Sequence, residues 1–149
     1  MKRITDYLVN NRRVMKLHEN MLKDICEEYE LTLTEAIIIS FLHNNPQKDT
    51  AADIVELRML SKGIVSQSVE SLIQRSLLQR EQDAMDRRKI HLTLMPSAQI
   101  ITESIEQIQK KFYEEIFAGF SEEDKALFSQ IHNRISENVK VAMNRRAKQ

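Results

Sequence analysis

The side chains able to do covalent or metal chemistry are few and scattered. His18, His43, His91 and His132 include no pair one helical turn apart of the kind that holds a metal. Neither a metal nor any other cofactor is therefore expected. Cys26 is the single cysteine, and it sits among Asp24, Glu27 and Glu28, which oppose a thiolate. It reads as a small packed hydrophobe and fits a reducing cytoplasm. Glu27 and Glu28 are neighbours on a helix and point in different directions, so they form no acid–base pair. Gly63 and Gly119 are the only glycines, too few for a phosphate-cradling loop. His91 alternates outward on a strand and is expected at the surface. No constellation supports an enzyme.

The chemistry that the spacing does suit is recognition of an anionic polymer. Ser61, Lys62, Gly63, Ser66, Gln67, Glu70 and Ser71 fall on one side of a helix whose other side carries Val65, Val69, Leu72 and Ile73. Short side chains let a helix axis approach base edges. A glutamine forms a bidentate pair with adenine, and serine hydroxyls donate or accept. Ser61 and Lys62 stand at the helix start, where free N–H groups and the dipole favour phosphate. Gly63 costs about 1 kcal/mol relative to alanine inside a helix, which close approach of a DNA backbone would justify. Further on, Asp86-Arg87-Arg88 forms a cationic turn. An arginine there suits a narrow minor groove, with Asp86 orienting it.

Formal net charge is zero, with 22 bases and 22 acids, but the distribution is uneven. Residues 58–89 hold seven bases and four acids, net +3. Residues 1–17 net +4 and residues 18–35 net −5. Local charge decides what a surface attracts, since solvent screens beyond roughly 8–10 Å.

These residues need elements to hold them. Tyr7, Val14, Leu17, Met21 and Ile25 make one helical stripe. Thr32-x-x-Glu35 is a capping box opening a second helix with Ile38, Ile39 and Leu42 inward, and Asn45-Pro46 stops it. Thr50 and Asp53 cap a third, with Ile54 and Leu57 facing inward, and Ser61 caps a fourth. Residues 77–81 suit a strand. Residues 89–94 alternate with period two, so Ile90, Leu92 and Leu94 share a face. The two strands form a hairpin with a charged tip. Pro96 opens a fifth helix with Ile101, Ile105, Ile108, Phe112 and Ile116. Gly119 suits its end, and Ser121 with Asp124 caps a sixth. The fold class is mainly α with a small β-hairpin wing: a winged helix-turn-helix plus long dimerisation helices.

Residues 61–72 (SKGIVSQSVESL), Leu77-Leu78-Gln79-Arg80, Asp86-Arg87-Arg88, residues 90–94 (IHLTL) and the Leu31-Thr32-x-x-Glu35 helix start together resemble the MarR family. The resemblance spans nearly the whole chain. It implies a single domain over 1–149, in which 31–95 is the DNA-binding lobe and 1–30 with 96–149 are dimerisation helices. It implies a homodimer with two recognition helices in successive major grooves and wings in flanking minor grooves. A ligand-responsive transcriptional repressor on a pseudo-palindromic operator follows, with a small-molecule effector and no membrane. Two positions depart from the family's habit: Arg58 replaces an apolar residue, and Gln67 replaces an arginine.

The dimer is also expected from patterning. Phe112, Ile116, Phe128, Ile131, Ile135 and Val139 make stripes that a small winged lobe cannot cover, so they must meet each other or a second chain. A two-fold dimer matches a palindrome. The rival is a winged-helix protein-interaction module that needs no cationic recognition surface. A ligand pocket is expected between the lobe and the dimer helices.

Overall fold

The computed structural model describes residues 3–149. Met1 and Lys2, part of the basic N-terminal stretch, lie outside the described residues. The element order is α1 (Ile4–Tyr29), α2 (Leu33–Asn44), α3 (Ala51–Arg58), α4 (Lys62–Gln74), β1 (Leu78–Gln82), β2 (Ile90–Leu94), a 3-10 turn (Pro96–Ala98), α5 (Gln99–Ile116) and α6 (Glu122–Ala147). This is the mainly helical architecture with one antiparallel hairpin that the patterning implies. Two compact units result, one ending at Phe112 and the other Tyr113–Gln149. Among the described residues no helix is long and apolar enough to cross a membrane.

The helix starts are set chemically. Thr32 Oγ1 accepts from the Glu35 N–H at 3.1 Å, and Glu35 Oε1 accepts from the Thr32 N–H at 2.9 Å. The same reciprocal box forms between Thr50 and Asp53 and between Ser121 and Asp124. Each satisfies two donors that a helix end otherwise leaves bare. α3 ends because Met59 turns left-handed (φ 54°), and Ser61 then caps α4 by accepting from Ile64 N–H. A left-handed methionine is strained, and it makes the sharp turn between the two helices.

The core of the first unit is apolar and continuous. Leu22 of α1, Ile38 and Ile39 of α2, Ile54 of α3, Val65 and Leu72 of α4, and Ile105 of α5 are its largest fully buried side chains. α2 runs through the middle, and every residue from 35 to 42 is buried. The single inward face expected of it is therefore an underestimate. Leu57 departs the other way. It is half exposed, because α3 is only eight residues long and turns just Ile54 fully inward.

β1 and β2 pair in register from Leu78↔Leu94 to Gln82↔Ile90. The strand begins one residue later than expected. The hairpin is tied to the α2–α3 loop by Leu92 N–H donating to the Asp49 carbonyl at 2.8 Å. α4 is tied to α1 by Arg75, which donates to the Glu30 and Tyr29 carbonyls, each at 2.8 Å. Those carbonyls are the free acceptors at the end of α1.

In the second unit Gly119 adopts φ 81°, the left-handed turn that glycine tolerates. Phe117 meets Phe120 and Phe128 edge to face, with ring centroids 5.6 and 5.3 Å apart. None of the residues of α6 is buried.

Candidate nucleic-acid interface

α4 is a helix with two chemically distinct sides. Val65, Ser68, Val69 and Leu72 are buried, while Ser61, Lys62, Gly63, Ser66 and Gln67 are exposed. An alanine Cβ at Gly63 would meet nothing within 4 Å, so packing within the chain does not require glycine there. Glu70 also faces out, but Arg80 of β1 forms an ion pair with it. That pair removes an uncompensated carboxylate from the exposed side and fixes the wing against α4.

Ser71 differs from the other residues of that face by having a partner inside the lobe. Its hydroxyl donates to Glu35 Oε2 at 2.9 Å, and Glu35 is only 5% exposed. The capping carboxylate of α2 thus holds α4 through Ser71, so this half-exposed hydroxyl is engaged within the lobe at the edge of the outward face. Arg58 is half-buried, and its Nε has no hydrogen-bond partner among the described residues. Burial pulls its pKa down from the usual value, and Glu19 opposes that. The polar head thus occupies the slot where an apolar residue was expected. Burial, assisted by Arg58, also lowers the pKa of His18, whose ring meets Phe112 edge to face at 5.1 Å.

The wing tip is built by two aspartates. Asp83 Oδ2 accepts from the N–H groups of Met85 and Asp86, at 2.9 and 2.8 Å. Asp86 Oδ1 accepts from Arg88 N–H at 3.0 Å and lies 3.6 Å from Arg88 Nε. Gln82 Nε2 donates to the Arg87 carbonyl at 2.8 Å. Such aspartate turns organise loops locally. Arg87 and Arg88 project from this frame, both exposed.

His91 was missed as a participant. It is not a free surface residue: Nδ1 lies 2.7 Å from Asp49 Oδ1, and Nε2 lies 2.7 Å from Asp83 Oδ1. Asp49 and then Asp83 raise its pKa. Asp83 is held down to about 2, by His91 first and then by the two backbone N–H groups. The only hint in the sequence was the Asp83-x-x-Asp86 turn spacing, which places a carboxylate beside the paired strands.

Beside α4 lies a cavity of about 470 Å³, lined by Ala51, Val55, Lys62, Ser66, Arg80 and Leu92 among others. It sits among α3, α4 and the hairpin, inside the winged lobe. Phe112, Ile116, Phe128, Ile131, Ile135 and Val139 fall on α5 and α6. The last four are each 40–49% exposed in the single chain. Cys26 packs half-buried against the core, and burial pushes its thiol pKa up.

A helix with a polar outward face, followed by a hairpin with a cationic tip, defines a winged helix-turn-helix nucleic-acid-binding module. The MarR family model matches residues 29–89, the span from the end of α1 to the wing tip. The regulator TcaR of Staphylococcus aureus strain Newman is 24% identical over 141 residues, covering 93% of this chain and 91% of TcaR. Two solved structures share the fold. The Staphylococcus aureus MepR–DNA complex has TM-score 0.68 and 18% identity, over 90% of this chain and 95% of MepR. BpsR of Bordetella bronchiseptica, described for the regulation of its DNA binding by 6-hydroxynicotinic acid, has TM-score 0.64 and 21% identity, over 90% and 99%. Residues 29–89 thus match the MarR family model, and nearly the whole chain shares the winged-helix fold of these transcriptional regulators.

Proposed function

We propose that this regulator binds a pseudo-palindromic duplex as a homodimer and acts as an effector-responsive repressor in the cytoplasm. The observation that carries the reading is the outward set on one lobe. Ser61, Lys62, Gly63, Ser66 and Gln67 on α4 and Arg87 and Arg88 on the wing are all exposed. Gln67 and Ser66 read bases in the major groove, and Ser61 and Lys62 meet phosphate. Gly63 lets the backbone approach. Arg87 and Arg88 enter the minor groove, with Asp86 orienting Arg88.

In this reading residues 31–95 form the binding lobe, and 1–30 with 96–149 assemble the dimer. Support comes from α6, which buries no residue in the single chain yet presents Phe128, Ile131, Ile135 and Val139. A long helix with an uncovered apolar stripe needs a partner, and a second copy brings a matching stripe. The effector is a small aromatic acid. The cavity beside α4 has a mostly apolar lining in which Arg80 and Glu70 are paired with each other and Lys62 is left as the cation for an acid group, and BpsR is described with a ligand of that class. A ligand there would press on the recognition helix itself.

The test is a fluorescence-anisotropy titration of a duplex selected from a random pool, over a range of salt. Affinity should fall with a log–log slope of about −0.9 per phosphate contacted. Arg88→Ala should weaken binding and flatten that slope with the fold intact, because Arg88 is almost wholly exposed. Unchanged affinity and slope in the variant would remove the wing from the reading.

A further inference from the structure

His91 lies between two carboxylates, and its chemistry allows only one way to satisfy both. Asp49 and Asp83 each bring an oxygen to 2.7 Å, one at Nδ1 and the other at Nε2. Ionised carboxylates only accept. A neutral imidazole has a single N–H, so it can donate to one of them and turns a lone pair on the other. Both contacts together require both ring nitrogens to carry protons. We propose that His91 is a positioning residue for DNA binding, bridging Asp49 and Asp83 as an imidazolium and thereby holding the wing tip in its groove-binding pose. The proposal rests on the reading that the wing contacts DNA.

The connectivity runs in one line. Asp49 immediately precedes Thr50, the cap of α3, and its carbonyl accepts from Leu92 N–H, so this end of the bridge is anchored to the helix-turn-helix. At the other end, Asp83 uses its second oxygen for the N–H groups of Met85 and Asp86. Asp86 in turn accepts from Arg88 N–H. Asp83 N–H donates to the Lys89 carbonyl and Lys89 N–H to the Asp86 carbonyl, which closes the tip on itself. The His91 ring is therefore the side-chain link between the start of α3 and the turn that presents Arg87 and Arg88.

The surroundings favour the charged ring. Glu81 of β1 stands opposite His91 in register, adding a third carboxylate to Asp49 and Asp83. Lys48 and Lys89 are the cations adjoining Asp49 and the strand start, and Asp53 of α3 is engaged with Thr50 N–H. His91 is displaced upward from 6.5, so its bridge is complete below that value and is lost as pH rises through the displaced one. Asp83 is displaced downward from 3.8 to about 2, so its contribution is complete above 3.8 and is lost only as pH falls towards 2. The bridge is thus intact between 3.8 and 6.5 and opens as pH rises through the displaced His91 value.

The experiment pairs two measurements on the full chain. In the free protein, NMR follows the His91 ring nitrogens and the Met85 and Asp86 amides from pH 5.5 to 9, in wild type, His91→Gln and Asp83→Asn. In parallel, affinity for the selected duplex is measured over the same range at constant ionic strength. The ring should titrate above 6.5, and the tip amides should shift with the same midpoint. Wild-type affinity should fall by roughly two- to fivefold across that midpoint, the size of one partly exposed ion pair lost from the bound pose. His91→Gln should bind at the alkaline level with no such step. Asp83→Asn should lose the coupling between ring and amides. A ring titrating at or below 6.5, or tip amides indifferent to it, overturns the bridge. A coupled tip with a DNA affinity that shows no step overturns the positioning role while leaving DNA binding by the chain standing. No binding by wild type at any pH, with the tip still coupled, overturns the DNA reading and the positioning role with it.

Discussion

The contact most diagnostic of how this lobe is assembled is Ser71 to Glu35, because it decides whether one residue of α4 reads DNA or holds the helix in place. Glu35 is 5% exposed and serves two partners, Thr32 N–H through Oε1 and the Ser71 hydroxyl through Oε2. Ser71→Ala deletes a hydrogen bond to a charged group and leaves a buried carboxylate oxygen short of a donor, a loss of about 1.5–3 kcal/mol. Glu35→Ala deletes the same bond and also half of the capping box, about 1 kcal/mol more. The double variant should cost about as much as Glu35→Ala alone, a coupling of about 1.5–3 kcal/mol where non-interacting sites would simply add. Urea unfolding followed by circular dichroism gives the four stabilities. Protein concentration must be held constant, since association stabilises the folded chain. Additivity within about 0.5 kcal/mol would refute the strut. A parallel selection of binding sites should return the same consensus for Ser71→Ala as for wild type.

Gly63→Ala separates stability from recognition at one position. The added Cβ meets nothing within 4 Å and removes a glycine from a helix, so thermal or urea stability should rise, by about 0.5–1 kcal/mol, while affinity for the selected duplex falls. A stability gain with full affinity would show that no DNA backbone approaches Gly63. Gln67→Ala should relax preference at one base step at a cost of about 1–3 kcal/mol to the preferred sequence. A selection experiment that returns an unchanged logo would exclude Gln67 as a base reader.

Elements and caps were legible because their determinants are local. Thr32 with Glu35, Thr50 with Asp53 and Ser121 with Asp124 each lie three residues apart, so one helical turn brings the partners together. The hairpin was legible because residues 90–94 alternate with period two. What escaped were contacts between residues distant in sequence. Ser71 lies beside Glu35 across 36 positions, and His91 beside Asp49 across 42. Helical spacing placed Ser71 at the edge of the polar face, and nothing local shows that a buried carboxylate waits on that edge. For His91, strand alternation did turn its side chain away from Leu92. It could not show that the α2–α3 loop and the hairpin turn each present a carboxylate there. Arg58 escaped for a related reason: apolar character is the rule for its slot, and only the packed structure shows a guanidinium placed there with Nε unpartnered.

A net charge of zero gives the chain no bulk attraction for a nucleic acid, so what the lobe can hold depends on which cations are left unpaired. Of the seven bases in residues 58–89, Arg58 is half-buried, Arg75 is engaged on the carbonyls ending α1, and Arg80 is paired with Glu70. Lys62, Arg87, Arg88 and Lys89 remain exposed, one at the start of α4 and three at the wing tip. Arg75 and Arg80 position elements, Arg58 is taken up in the packing, and the other four bases are left for phosphate. That division sets a number the proposed function must meet. If each exposed base neutralises one phosphate, the lobe contributes a salt slope of about −3.6, and two lobes about −7. A wild-type slope near zero would mean that these cations do not contact the polymer, whatever the fold resembles.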